Sequence, residues 1–420
     1  LHSARNQLKG TLPTELALLT SLDFVDMNRN EISGPIPTHF AKLQKLDFFD
    51  IRFNQISGPI PEWIGTSWNE LILLGFSHNQ FTGTIPPTFG QSSLLKTFAL
   101  DNNQLVGNLD MLNSMTHLEF VFLNDNNLTH SIDHNFMVDC QRLVQLDLSG
   151  NFLKGQGVPI HLFRHEKLEV LDLGNNNLDG ELPLDITPNT VMKYVALNNN
   201  YFQGTLPPTF DQLNKLTHLD LAGNLLDDEI PNSLVSLTGL TYLFLSDNDF
   251  IRGPLPSWLS NLKLLRELSL GGSGISGTIP TWLPSLTELV LLDLSGNTMN
   301  GQVPSSLWEL TKLEFLLLQG NSFTGQLPSG IHDLSDLDLF ILDRNNFTGS
   351  VDEVCDNLDP EYFIADCDEV SCTCCTACCQ DGDTAGCSDD VLYGIMDGSW
   401  EYNFTRVRYT FSPEILLDKN

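Results

Sequence analysis

Residues 168–183 read LEVLDLGNNNLDGELP, and nearly the whole chain restates them. The invariant frame is LxxLxLxxNxLxGxxP, here Leu168, Leu171, Leu173, Asn176, Leu178, Gly180 and Pro183. Its Asn recurs at 6, 30, 54, 79, 103, 126, 151, 176, 200, 224, 248, 297, 321 and 345, with Ser273 in one further copy. These fifteen registers lie 23 to 25 residues apart. Self-similarity at such a period is the signature of a solenoid, in which each coil stacks only on its neighbours.

Each repeated position has a physical reason. Alternation in LxL puts two leucines on one side of a short strand and the residues between them on the other. One coil cannot bury its leucines alone, so coils must stack into a continuous core. Where the strand ends, buried N–H and C=O groups need partners, and an inward Asn offers two donors and an acceptor. This predicts a file of asparagines bridging each coil to the next, with Ser273, too short for the full role, as its weak rung. Gly four residues after the Asn predicts a turn with unusual φ. Pro seven after it fixes an extended φ where no ladder N–H is needed.

The LxGxIP element, as in ISGPIP at 32–37 and FTGTIP at 81–86, resembles the plant-type leucine-rich repeats of extracellular receptors and inhibitor proteins. The resemblance covers residues 1–352. It implies an α/β-type repeat solenoid, a curved horseshoe or superhelix. A parallel sheet would line its concave face, with extended and 3-10 segments on its convex side.

The formal charge is −32, from 53 acidic and 21 basic residues. That balance argues against nucleic-acid partners and against docking on anionic lipid. No run of 18 apolar residues exists that would span a membrane. The chain opens at Leu1 inside the strand of its first coil, with no polar cap before it. The expectation is therefore a truncated N-terminus, with any membrane attachment carried by a segment outside these residues.

Regularity lapses in four places. Asp110 replaces the Pro after Asn103, and 131–140 (SIDHNFMVDC) has neither Gly nor Pro, so helical turns are expected there. Cys140, alone in that stretch, reads as a small core hydrophobe. One extra residue falls within 250–253 (FIRG), and the next coil carries Gly271, Gly272, Ser273 and Gly274.

After 352 the repeat gives way to a cluster containing Cys355, Cys367, Cys372, Cys374, Cys375, Cys378, Cys379 and Cys387. An even count, crowded spacing and no nearby His favour disulfides over zinc. We read 353–390 as a disulfide cap over the last coil, and 391–420 as a tail with a strand at 402–411. The cluster resembles the Cys-rich segments of algal leucine-rich-repeat proteins. N-x-[ST] sequons at Asn127, Asn346 and Asn403 are candidate glycosylation sites.

No catalytic constellation survives inspection. His165-Glu166 lacks a second zinc His, and the position a calcium loop would fill with Glu after Asp381 is Leu392. Phosphate-loop, nucleophile-elbow and kinase signatures are absent from the sequence. No enzyme, metal or cofactor is expected. Aspartates four before the ladder Asn (Asp26, Asp50, Asp147, Asp172, Asp220, Asp293) read as solvated strand fillers.

Function should then lie in the residues that vary. Those six, four and two before the ladder Asn point to the concave surface, where aromatic side chains are enriched in binding hot spots. One candidate group is Tyr194, His218, Asp220, Tyr242 and Phe244; a second is Phe120 and Phe122. The resemblance implies an extracellular recognition module, the ectodomain of a receptor-like protein. It would bind a protein, peptide or glycan, with a co-receptor as a possible further partner. The alternatives are a secreted inhibitor of a wall-degrading hydrolase or an adhesive matrix protein.

Overall fold

The structure, a computed structural model, describes residues 1–187, 191–358, 360–367 and 369–379. The chain divides into two compact units, Leu1–Ile251 and Arg252–Asn420. The division falls inside the 250–253 insertion.

In the first unit every coil after the opening one gives a three-residue inner strand. These are β1 (Phe24–Asp26), β2 (Phe48–Asp50), β3 (Leu73–Gly75), β4 (Thr97–Ala99) and β5 (Phe120–Phe122). They continue with β6 (Gln145–Asp147), β7 (Val170–Asp172), β8 (Tyr194–Ala196), β9 (His218–Asp220) and β10 (Tyr242–Phe244). All pair in parallel without slip, so each sequence column becomes a row across the sheet. The middle residue of each strand faces the core; Phe49, Leu171 and Leu219 are wholly buried. Burying such a side chain contributes about 1.5–3 kcal/mol, and the row repeats at every coil.

The asparagine file forms as expected. Asn176 Nδ2 donates to Leu148 O at 3.0 Å in the preceding coil, and to Leu173 O at 3.1 Å and Gly174 O at 3.0 Å in its own. Its Oδ1 accepts the Leu153 N–H at 3.0 Å. The residue just before each ladder Asn is left-handed, including Phe53 at φ 54° and His78 at φ 53°. That requirement is hidden in the Leu/Asn/Gly/Pro frame, although Gly150 and Gly223 occupy the same column. The expected turn glycines do take positive φ; at Gly180 (φ 83°) an added Cβ would lie 2.9 Å from Gly157 N.

Outside the inner sheet, short strands form two further parallel sheets in this unit. One runs from Lys9–Thr11 to Asn127–Leu128, the other from Lys154–Gln156 to Leu225–Leu226. Between them only the single bridge Ser131↔Lys154 persists among the described residues. The interrupted coil is the one lacking Gly and Pro. In other coils Pro precedes a 3-10 turn, as at Thr38–Lys42 after Pro37 and Pro208–Gln212 after Pro207, or a short α-helix, as at Ile160–Phe163 after Pro159. Asp110–Ser114 is a 3-10 turn of the same kind, and 134–139 is a run of turns. Cys140 is buried there, its Sγ donating to Leu112 O at 3.4 Å, and burial pushes its thiol up to about 11.

The second unit repeats the plan with β11 (Glu267–Ser269), β12 (Leu291–Asp293), β13 (Phe315–Leu317) and β14 (Leu339–Ile341). Its sheet continues into the Cys-rich segment through β15 (Tyr362–Asp366) and β16 (Ala377–Cys379). Ser273 is fully buried and its Oγ donates to Gly271 O at 3.1 Å, while Asn297 Oδ1 accepts both the Ser273 and Ile275 amides. A helix, α1 (Asp352–Asn357), leads into disulfides Cys355–Cys374, Cys367–Cys378 and Cys372–Cys375. Cys379 is buried with Leu317, Leu339, Ile341 and Ile364. Cys387, Asn403 and the stretch 402–411 lie outside the described residues.

Candidate binding surface

The inner sheet of the first unit brings the predicted groups together because its register is in phase. Tyr194 pairs with His218 and His218 with Tyr242; Ala196 pairs with Asp220 and Asp220 with Phe244. The Tyr194 and His218 rings stack, centroids 4.2 Å apart and 20° from parallel. Tyr242 and Phe244 tilt against the same imidazole at 5.3 and 5.7 Å. Parallel strands only about 4.8 Å apart force rings in one column into such contact.

That stacking corrects one expectation. Tyr194 and His218 are each only 5% exposed, so they form the wall of the patch, while half-buried Tyr242 and Phe244 form its accessible part. Burial depresses the His218 imidazole to about 3, so it is neutral at any physiological pH. Among the described residues His218 Nδ1 is buried without a hydrogen-bond partner. Asp220 accepts the Ala222 N–H at 3.0 Å, yet burial, and then Asp172, raise its carboxyl to about 7.

The aspartate column needs a second correction. Asp26, Asp50 and Asp172 are buried, not solvated. In each coil that carries it, the aspartate accepts the backbone N–H two residues on, as Asp50 does from Arg52 at 3.1 Å and Asp172 from Gly174 at 3.0 Å. This local side-chain-to-backbone bond holds the strand end as it leaves the ladder. The recurrence of Asp four before the ladder Asn was the available signal.

The second predicted group is more dispersed. Phe120 and Phe122 are half-buried on β5, flanked by Thr97 and Gln145 and by Ala99 and Asp147. Beside them Asn124 Nδ2 donates to Asp125 Oδ2 at 2.7 Å. A group that the strand columns do not show lies on the left-handed positions. Arg29 covers the Phe53 ring at 4.4 Å, and Phe53 stacks on His78 at 4.2 Å. His78 in turn reaches Asp101, whose carboxyl burial raises and which accepts from Ser77 Oγ.

Among the described residues three groups of metal-ligating atoms lie close enough to share an ion. Two consist of cysteines already in disulfides. The third is Asp343, Asp366 and Cys379, where Arg344 Nε already stands 3.3 Å from Asp343 Oδ2. The sequon residues Asn127 and Asn346 are both exposed. No helix among the described residues is long and apolar enough to cross a membrane.

Two leucine-rich-repeat family models match this chain, one over 190–250 and 258–323, the other over 70–92, 167–189 and 239–262. Receptor-like protein 39 of Arabidopsis thaliana is 30% identical over 140 residues, which is 33% of this chain and 16% of that protein. Among solved structures, the plant peptide hormone receptor RGFR1 in complex with RGF2 is 28% identical with a TM-score of 0.75, covering 87% of this chain and 57% of that one. The Arabidopsis receptor kinase HAESA, in complex with the peptide hormone IDA and the co-receptor SERK1, is 25% identical with a TM-score of 0.68 over 91% and 74% of the two chains. The chain thus spans about a sixth of the curated relative it matches.

Proposed function

We propose, from the premise that this chain is a plant-type leucine-rich-repeat protein of the receptor-like kind, that its inner sheet recognises a peptide outside the cell. The observation that carries the reading is the convergence of Tyr194, His218, Tyr242 and Phe244 on three adjacent strands. The repeat fixes that register but does not require those residues. A peptide suits the surface because a row of parallel strands presents a long series of side chains to an extended chain. The peptide hormones bound by RGFR1 and HAESA support the same class of ligand. The co-receptor in the HAESA complex supports a second protein partner. Three disulfides and two exposed sequon asparagines support an extracellular setting.

The test is selection of a random displayed peptide library on the whole chain, followed by titration of the selected peptides. The double variant Tyr242→Ala/Phe244→Ala should bind them at least about tenfold more weakly at unchanged thermal stability. Equal binding by the variant removes this surface from the function.

A further inference from the structure

The aspartates of the inner sheet are alike in position but not in company. Asp26 holds Asn28 Nδ2 at 2.7 Å, and Asp50 holds Arg52 through two bonds at 2.9 and 2.6 Å. Asp147 holds Ser149 Oγ at 2.7 Å, Asp172 the Tyr194 hydroxyl at 3.4 Å, and Asp293 the hydroxyls of Ser269 and Ser295 at 2.7 and 2.6 Å. Asp220 alone of the six has, among the described residues, no side-chain donor and no cation.

His218 is a second and independent sign of a missing partner. It lies on the same strand face two positions before Asp220 and is 5% exposed, and its ring makes no hydrogen bond with the described residues. An unpaired buried polar atom is costly, and this one faces the inner surface next to a carboxylate that also lacks a side-chain partner. Ala196 stands in register between Asp172 and Asp220, and half-buried Ala222 follows Asp220, while beside Asp172 the Asn198 amide lies over Gly174. The two aspartates stand two strand spacings apart, roughly 10 Å, a separation that a planar cation bridges with a carboxylate on either side.

We propose that the peptide bound on the inner sheet carries a basic side chain that enters between these two aspartates, its N–H donors shared between Asp172 and Asp220 beside His218. This rests on the peptide reading above and names what that peptide must contain. An organic cation fits better than a metal ion, because these three groups are not among those whose ligating atoms converge. Tyr242 and Phe244 supply ring surface for the methylene stem and for cation–π contact. Partial desolvation of Asp220 strengthens the pairing, since a half-buried carboxylate loses less water on binding than an open one.

The experiment selects the same displayed peptide library at pH 8 on the whole chain and on Asp172→Asn/Asp220→Asn. One arginine-containing binder is then compared with its citrulline twin by calorimetry. Arg or Lys should be enriched at one position on the natural chain and lose that enrichment on the variant. The citrulline twin should bind the natural chain roughly tenfold more weakly and the variant no differently from its parent. Non-specific attraction to the acidic chain would persist in the variant, which removes only two of 32 net negative charges. Binders without a basic position, or the same enrichment on the variant, overturn the inference. If those binders still depend on Tyr242 and Phe244, the peptide reading stands without it. If no peptide is selected, both fall.

Discussion

The inner sheet of the first unit carries the same materials at its start and near its end, assembled to opposite effect. At β1 and β2, Phe24 stacks on Phe48 at 4.3 Å, and the aspartates beneath them are wrapped by cations and amides. Asp26 meets His2 Nδ1 at 2.9 Å and Asn28, and Asp50 is clamped by Arg52. At β8 to β10, Tyr194 stacks on His218 at 4.2 Å, but among the described residues Asp220 has only a backbone amide and the His218 ring no hydrogen-bond partner. An aromatic pair over a carboxylate is therefore not in itself a binding feature. What separates surface from site is whether polar groups find their partners inside the chain.

The ladder beneath the two regions is the control. Asn54 donates to Met27 O, Ile51 O and Arg52 O and accepts the Ile32 N–H, all within 3.2 Å. Asn224 does the same with Leu197 O, Leu221 O, Ala222 O and the Phe202 N–H. Asn54→Ala and Asn224→Ala should each cost about 4 kcal/mol in urea unfolding, since several buried backbone groups lose partners at once. Costs differing by more than about 1 kcal/mol would mean that the regions differ in architecture as well as in surface.

The aspartates should then part company. Arg52→Met leaves Asp50, 1% exposed, without its cation, and should cost about 3 kcal/mol. Asp220→Asn keeps an oxygen for the Ala222 amide and removes a desolvated charge, so stability should stay within about 0.5 kcal/mol or rise. A loss comparable to that of Arg52→Met would make the Asp220 charge structural and end the contrast.

The pH dependence has a definite sign. Asp220 titrates near 7 in the folded chain against an ordinary value of 3.8, so between those limits the folded state holds the extra proton. Stability contributed by that proton is complete below about 4 and is lost as pH rises towards 7. Facing Asp220 are Asp172 on β7, Asn198 after β8, Tyr242 and Phe244 on β10, Ser246 after β10, and neutral His218 on its own strand. None supplies a positive charge to reverse the sign. Glu267 and Asp366 in the second unit, raised by burial to about 7 and about 6, slope the same way. Subtracting the Asp220→Asn curve from that of the natural chain isolates the Asp220 contribution. A flat difference between pH 4 and 7 would place Asp220 in contact with water.

How much of this could be read from residues alone follows from the same distinction. Asn176, Gly180 and Pro183 repeat because every coil meets the same backbone demand, so strand, ladder and turn were all legible. So was the convergence of Tyr194, His218 and Tyr242, since a constant period fixes the register. Degree of burial was not. Whether Tyr194 lies open depends on how the neighbouring ring leans, and whether Asp172 is solvated depends on an amide two residues away. The left-handed column holding Phe53 and His78 was missed because no single residue type marks it.

His218 offers the smallest effect and the sharpest contrast. If its ring serves only the sheet, as the Phe24–Phe48 pair does, replacing it by another aromatic ring should be neutral at best. If it is kept for a ligand, the natural chain tolerates an unpaired buried nitrogen for the sake of binding, a common trade of stability for function. His218→Phe keeps the aromatic stack and deletes the orphan atom. It should therefore stabilise the chain by about 1 kcal/mol, read as a higher urea midpoint at unchanged slope. The same variant should bind the arginine-containing peptide more weakly, because the site beside Asp220 loses the imidazole nitrogens. Opposite movements of stability and affinity in one variant would separate this region from β1 and β2, where no such substitution is available. A destabilised His218→Phe chain would show instead that the imidazole nitrogen has a partner inside the protein, and the two regions would be alike.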